Sequence, residues 1–182
     1  MKRIAMLLVP LMLAACASTP TTTTDSQPGT DFSQYHSFTW GEKPNPNNPL
    51  AAQRIVADIN AQLTAKGWTE SASGGDVTLV GHVATSQKHT MDTFYTGSAY
   101  GGWGWRGMGG MGMGMGSSQT MVNTYDVGTL VLDMFDTSTK QAIWRATATA
   151  TVTGSTESQN AKIDAGIAKM FAAFPPGSTP AK

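Results

Sequence analysis

The chain has 182 residues, with 12 Lys+Arg against 12 Asp+Glu and a formal net charge of zero. That length fits one domain, and a neutral chain without a basic run excludes the electrostatic footprint of a nucleic-acid binder. One cysteine excludes an internal disulfide and a cysteine-based zinc site. Charged residues make up 13% of the chain, about half the usual share of a globular domain. No reaction is legible in these figures.

The first elements set the expected compartment. Lys2 and Arg3 precede an apolar run from Ile4 to Leu13. Ten residues rise only about 15 Å as a helix, half of a bilayer core, so the run reads as a secretory signal peptide over 1–15. It ends in Leu13-Ala14-Ala15-Cys16, which resembles the lipobox of bacterial lipoproteins. The resemblance implies cleavage before Cys16 and lipid attachment to it. An ordinary signal peptide with a stray cysteine is the plainer alternative. Lipidation would remove a lone thiol that is a liability in an oxidising compartment. More than one acyl chain anchors stably, at about 0.8 kcal/mol per buried methylene. Ala17, which is not Asp, fits outer-membrane sorting by resemblance to enterobacterial rules. Residues 16–30 are Thr-, Ser- and Pro-rich and read as a lipidated cysteine and flexible tether, reaching roughly 45 Å when extended.

A single α+β domain is expected over 31–176. Tyr35 to Trp40 alternates and is aromatic-rich, which predicts a strand. Asn48 then Pro49 predicts a capped helix start. Ile55, Ile59 and Leu63 form its stripe, and Lys66-Gly67 its end. Asp76 to Thr85 reads as an interior strand reaching towards Tyr95. Met121 to Phe135 reads as another, and Ala142 to Val152 as a third, with a turn at 137–140. The alanine row Ala146, Ala148 and Ala150 suits a helix lying close to the sheet. The threonine row Thr147, Thr149 and Thr151 suits a solvated face. Matching these faces sets Asp133 opposite or diagonal to Arg145, worth about 0.2–1 kcal/mol if exposed. Ser158 to Phe174 predicts the last helix, with Ile163, Ile167, Met170, Phe171 and Phe174 inward and Pro175-Pro176 as its stop. The expected fold is two-layered: a four-stranded, mainly antiparallel sheet with two helices on one face, in the order β-α-β-β-β-α. Residues 177–182 read as a disordered tail.

Between two predicted strands lies a loop insertion, 97–118. Gly97 to Gly116 holds ten of the chain's 20 glycines. Ordering such a segment costs about 1–2 kcal/mol per residue, so a long mobile hairpin tip of low complexity is the plain reading. Two functional readings stand beside it. Trp103 and Trp105, with the methionines, suit contact with a membrane or protein partner. Met108, Met111, Met113 and Met115 are four soft thioethers that suit Cu(I). No phosphate loop is present, because no Lys-Ser/Thr follows the glycines.

Catalytic candidates are few. His36, His82 and His89 are the only imidazoles. His82 reads as a satisfied core or rim residue. Asp126, Asp133 and Asp136 are spaced along one hairpin, with Asp136 as a turn residue. There is no nucleophile elbow, no His-Glu-x-x-His and no calcium loop. We expect no enzyme, no cofactor and no small-molecule substrate.

Several pieces, in order, resemble a bacterial lipoprotein family known as domain of unknown function 4136. They are Leu13-Ala14-Ala15-Cys16, Asp31-Phe32-Ser33-Gln34-Tyr35 with Phe38-Thr39-Trp40, Ala65-Lys66-Gly67-Trp68, Tyr125 to Asp133, Ile143-Trp144-Arg145, and Phe171-Ala172-Ala173-Phe174-Pro175. The resemblance implies an α+β envelope lipoprotein without assigned catalytic residues. Family members often carry a Gly- and aromatic-rich loop at this position, where this chain substitutes methionine for much of the aromatic content. The function expected is a non-enzymatic binding or scaffold module of the bacterial envelope. A lipid anchor on Cys16 would hold it at the outer membrane facing the periplasm, where it would meet an envelope protein. The alternative is soft-metal binding through the loop.

Overall fold

The computed structural model describes residues 19–95 and 118–176. In chain order these form β1 (Thr21–Ser26), a 3-10 turn (Phe32–Gln34), β2 (Ser37–Glu42), α1 (Pro49–Ala65), β3 (Thr69–Glu70), β4 (Val77–Tyr95), β5 (Ser118–Asp136), β6 (Ala142–Thr151) and α2 (Thr156–Phe171). The class is α+β, as expected, but the sheet has six strands, not four, in the order β1-β6-β5-β4-β2-β3.

The two additional strands lie at the edges. β1 falls inside the expected tether, yet it pairs antiparallel with β6 from Thr21↔Thr149 to Ser26↔Trp144. It has no apolar residue to reveal it; backbone pairing recruits it, together with a hydrogen bond between the Thr23 and Thr147 hydroxyls. β3 is only two residues and pairs parallel with β2. β2 also pairs parallel with β4, because α1 carries the chain over one face between them.

α1 forms as its sequence dictates. Asn48 Oδ1 accepts the Leu50 and Ala51 amides, and Ile55, Ile59 and Leu63 are buried. Gly67 takes a φ of +88°, which lets the Trp68 amide turn back to Leu63 O at 3.0 Å. Trp68 is buried there. The inner face of the sheet is set by register. Leu79, Met134 and Trp144 align across three strands, followed by Leu132 with Ala146, then Val83 with Leu130 and Ala148. Both helices lie on this face and touch each other. The alanine row serves as expected: a Cβ on Gly166 of α2 would come 3.3 Å from Ala148 Cβ.

The core is uneven along its length. At the C-terminal ends of the helices, Phe32, Tyr35, Trp68, Trp144, Phe171 and Phe174 interlock at ring centroid distances of 5.0–6.2 Å. Edge-to-face packing of this kind fixes geometry as well as burying area. At the N-terminal ends of the helices the core thins to small side chains. On the outer face Arg145 and Asp133 stand directly opposite, as register required. Arg145 Nη2 donates to Asp133 Oδ2 at 2.8 Å. Asp133 is buried, which the sequence did not show, while Arg145 covers it from solvent.

Candidate functional site

β4 and β5 outrun every other strand. β6 ends at Thr151↔Val127, and β2 leaves β4 at Val80. Val152 N–H still reaches Asp126 O at 2.7 Å. Beyond that, from Lys88↔Tyr125 to Tyr95↔Ser118, the two strands pair only with each other among the described residues. Eight pairs make an arm about 25 Å long. β4 ends at Tyr95, as the expected extension had it, whereas β5 begins at Ser118 rather than near Met121.

The residues singled out in the loop, Trp103, Trp105, Met108, Met111, Met113 and Met115, lie outside the described residues, as does Cys16. Segment 96–117 enters and leaves at the far end of the arm, because Tyr95 and Ser118 are register partners.

The three histidines are not brought together. His36 is exposed ahead of β2, its amide donating to Asp76 Oδ2 at 2.9 Å. His82 is exposed on the outer face, its Nδ1 3.6 Å from Glu42 Oε1, so it is a rim residue. His89 lies on the arm, Nδ1 2.9 Å from Thr124 Oγ1. Among the described residues no group of three or more His, Cys, Asp or Glu side chains could hold a metal ion. No helix there is long and apolar enough to cross a membrane.

Two carboxylate groupings have chemistry of their own. Asp136 is the turn residue expected. Its Oδ1 accepts the Ser138 and Thr139 amides at 2.8 Å each, and the Tyr35 hydroxyl donates to Oδ2 at 2.9 Å. The Ser138 hydroxyl, then the Thr139 amide and Tyr35, hold Asp136 well below the usual carboxylate range. Burial, then the bond to Asp136, pushes the Tyr35 phenol up to about 12. Neither group has the properties of a base near neutral pH.

The second grouping sits between the helices. Arg54 of α1 donates to both oxygens of Asp164 of α2, at 3.1 and 3.2 Å. Asp58 lies beside that pair with its Oδ2 buried and without a hydrogen-bond donor. As two carboxylates, Asp58 and Asp164 have no proton to share; protonating one makes the bond. Burial, then Asp164, pushes Asp58 up to about 6, with Arg54 opposing.

The thin end of the core contains a feature that the sequence reading missed. A cavity of about 270 Å³ lies between α1, α2 and the sheet, at the root of the arm. Lys162 lines it and is buried. The available signal was Lys162 itself, on the same helical row as the buried Gly166 and Met170.

Comparison with known proteins gives a family and a fold. Residues 22–176 match the family model described as Domain of unknown function (DUF4136). No curated protein matches. A PDZ domain protein from Parabacteroides distasonis is similar at 12% identity and TM-score 0.55; the match covers 89% of this chain but only 37% of that one. A DUF4136 family protein from Bacteroides thetaiotaomicron is similar at 13% identity and TM-score 0.54, over 86% of this chain and 96% of that one. PelC from Paraburkholderia phytofirmans, a dodecamer, is 17% identical over 84% of this chain and 94% of that one, at TM-score 0.48. The family model takes in every element of the fold except the first residue of β1, so the chain belongs to the DUF4136 family.

Proposed function

We propose that this protein is a non-enzymatic lipoprotein of the bacterial cell envelope that presents its β4–β5 arm to an envelope protein. The arm carries the reading. A two-stranded ribbon is marginal by itself, and this one continues two strands whose other halves lie in the six-stranded sheet under both helices. The arrangement suits presentation of segment 96–117, with Trp103 and Trp105, at a set distance from the body. Cys16 would carry the lipid, with the outer membrane as its address.

With Thr21–Ser26 in the sheet and Pro20 O accepting from Lys169 Nζ at 3.2 Å, three residues of chain separate Cys16 from Pro20. Three residues reach at most about 10–14 Å, so a lipid on Cys16 would hold the body close to the membrane.

One experiment tests both parts. Cells carrying the intact chain, a chain with 96–117 replaced by Asn-Gly, and Cys16→Ser are fed an alkyne fatty acid and cross-linked. We expect label on the first two only, and a cross-linked partner mapped to 96–117 in the first only. Label on Cys16→Ser sinks the anchor; an unchanged cross-link in the shortened chain sinks the arm.

A further inference from the structure

The cavity at the root of the arm combines an apolar lining with one cationic group. Ile55, Val83, Leu130, Ala148 and Ile163 are among its walls. Its volume of about 270 Å³ is near the lower bound of ligand pockets, roughly 300 Å³. Gly166 lets α2 lie close on the sheet at this end, since a Cβ there would come 3.3 Å from Ala148 Cβ.

Lys162 is the anomaly. It is only 9% exposed. Its Nζ donates to Thr151 O at 2.9 Å, Thr153 O at 3.1 Å and Thr153 Oγ1 at 3.4 Å. All three acceptors are neutral. No ion pair includes Lys162 among the described residues. Hydrogen bonds satisfy its protons but leave its charge uncompensated, which a buried site penalises. Asn48 and Ala51, in the first turn of α1, line the same space. The positive end of that helix dipole therefore adds to the field of Lys162. A purely apolar ligand leaves that field unanswered, and a small anion leaves the apolar walls wet.

We propose that this cavity binds a medium-chain fatty carboxylate, its tail among Ile55, Val83, Leu130 and Ile163 and its head beside Lys162. This goes beyond the envelope reading and does not depend on the arm or on the lipid anchor. The head supplies the missing negative charge, and the tail replaces water against the walls.

The test uses the purified full chain and a decanoic acid carrying a diazirine at its tail. After illumination, label should map to peptides containing Ile55, Val83 or Ile163. Decanoate should compete at least tenfold better than decanol. Lys162→Met should erase that preference while leaving competition by decanol in place. Ala51→Trp, at the cavity mouth and independent of Lys162, should suppress labelling by both routes with the fold intact by circular dichroism. Label scattered over the outer face, or a decanoate preference surviving Lys162→Met, overturns the proposal. So does unchanged labelling of Ala51→Trp.

Discussion

β4 and β5 are one pair of strands in two environments. From Val77 to Val83, β4 lies within the sheet, with helices over its inner side; Leu79, Leu132 and Met134 there are fully buried. From Lys88 to Tyr95 the same ladder continues with no third strand among the described residues, and Val122 opposite it is 53% exposed. The hydrogen-bond pattern does not change along the way; the coverage does. Pairing extends a strand, but burial decides how firmly it is held.

The sharpest way to break that contrast is by truncating side chains in each half. Leu132→Ala should cost about 2–5 kcal/mol, because it leaves a hole in a closed core. Val122→Ala on the arm should change stability by no more than about 0.5 kcal/mol. Urea unfolding measures both, and equal losses would mean that the arm is covered after all.

Hydrogen exchange sharpens the same comparison without mutation. Amides of 77–83 and 130–136 should exchange only through global unfolding. Those of 88–95 and 118–125 should exchange through local opening at a much lower free energy. One common protection level along both strands would refute this.

Acid should act on the body. The folded chain holds Asp58 up to about 6, above its value in the unfolded chain, so its contribution is present at low pH and lost as pH rises through about 6. Asp31, Asp76 and Asp136 are depressed, so their contributions are present above the ordinary carboxylate range and lost as pH falls below it. The thermal midpoint should therefore peak near pH 4 and fall from about pH 4 to 6. Asp58→Asn should flatten that fall, and a fall of undiminished size would exclude Asp58 as its cause.

The smallest effect is expected from removing the arm. Joining Gln87 to Asp126 through an Asn-Gly turn should leave the thermal midpoint nearly unchanged, since the arm adds little to the core. A large drop in calorimetry would show that the body depends on it.

Much of this architecture is legible in local chemistry. Asn48, Pro49 and the row Ile55, Ile59, Leu63 define α1 before any partner is known, because cap and stripe are both local. The alternation of Leu130, Leu132 and Met134 against Ala146 and Ala148 sets two strand faces, and matching them predicts Asp133 opposite Arg145. The Thr21–Ser26 strand is illegible for the converse reason. Its threonines bury no apolar row, and its place depends on the open edge of β6. The cavity is equally hidden, because Lys162 looks like an ordinary helix-surface lysine until Thr151 and Thr153 are seen folded over it.

The sequence by itself therefore determined the elements that carry their own signal: two amphipathic helices, three long strands, one turn and the faces they present. Tertiary structure decided what depends on distant partners: six strands rather than four, the parallel seating of β2 against β4, the burial of Asp133 and Lys162, and the length of the arm. Periodicity and caps act within a few residues, whereas edge pairing, charge burial and empty space are set by segments far apart in the chain.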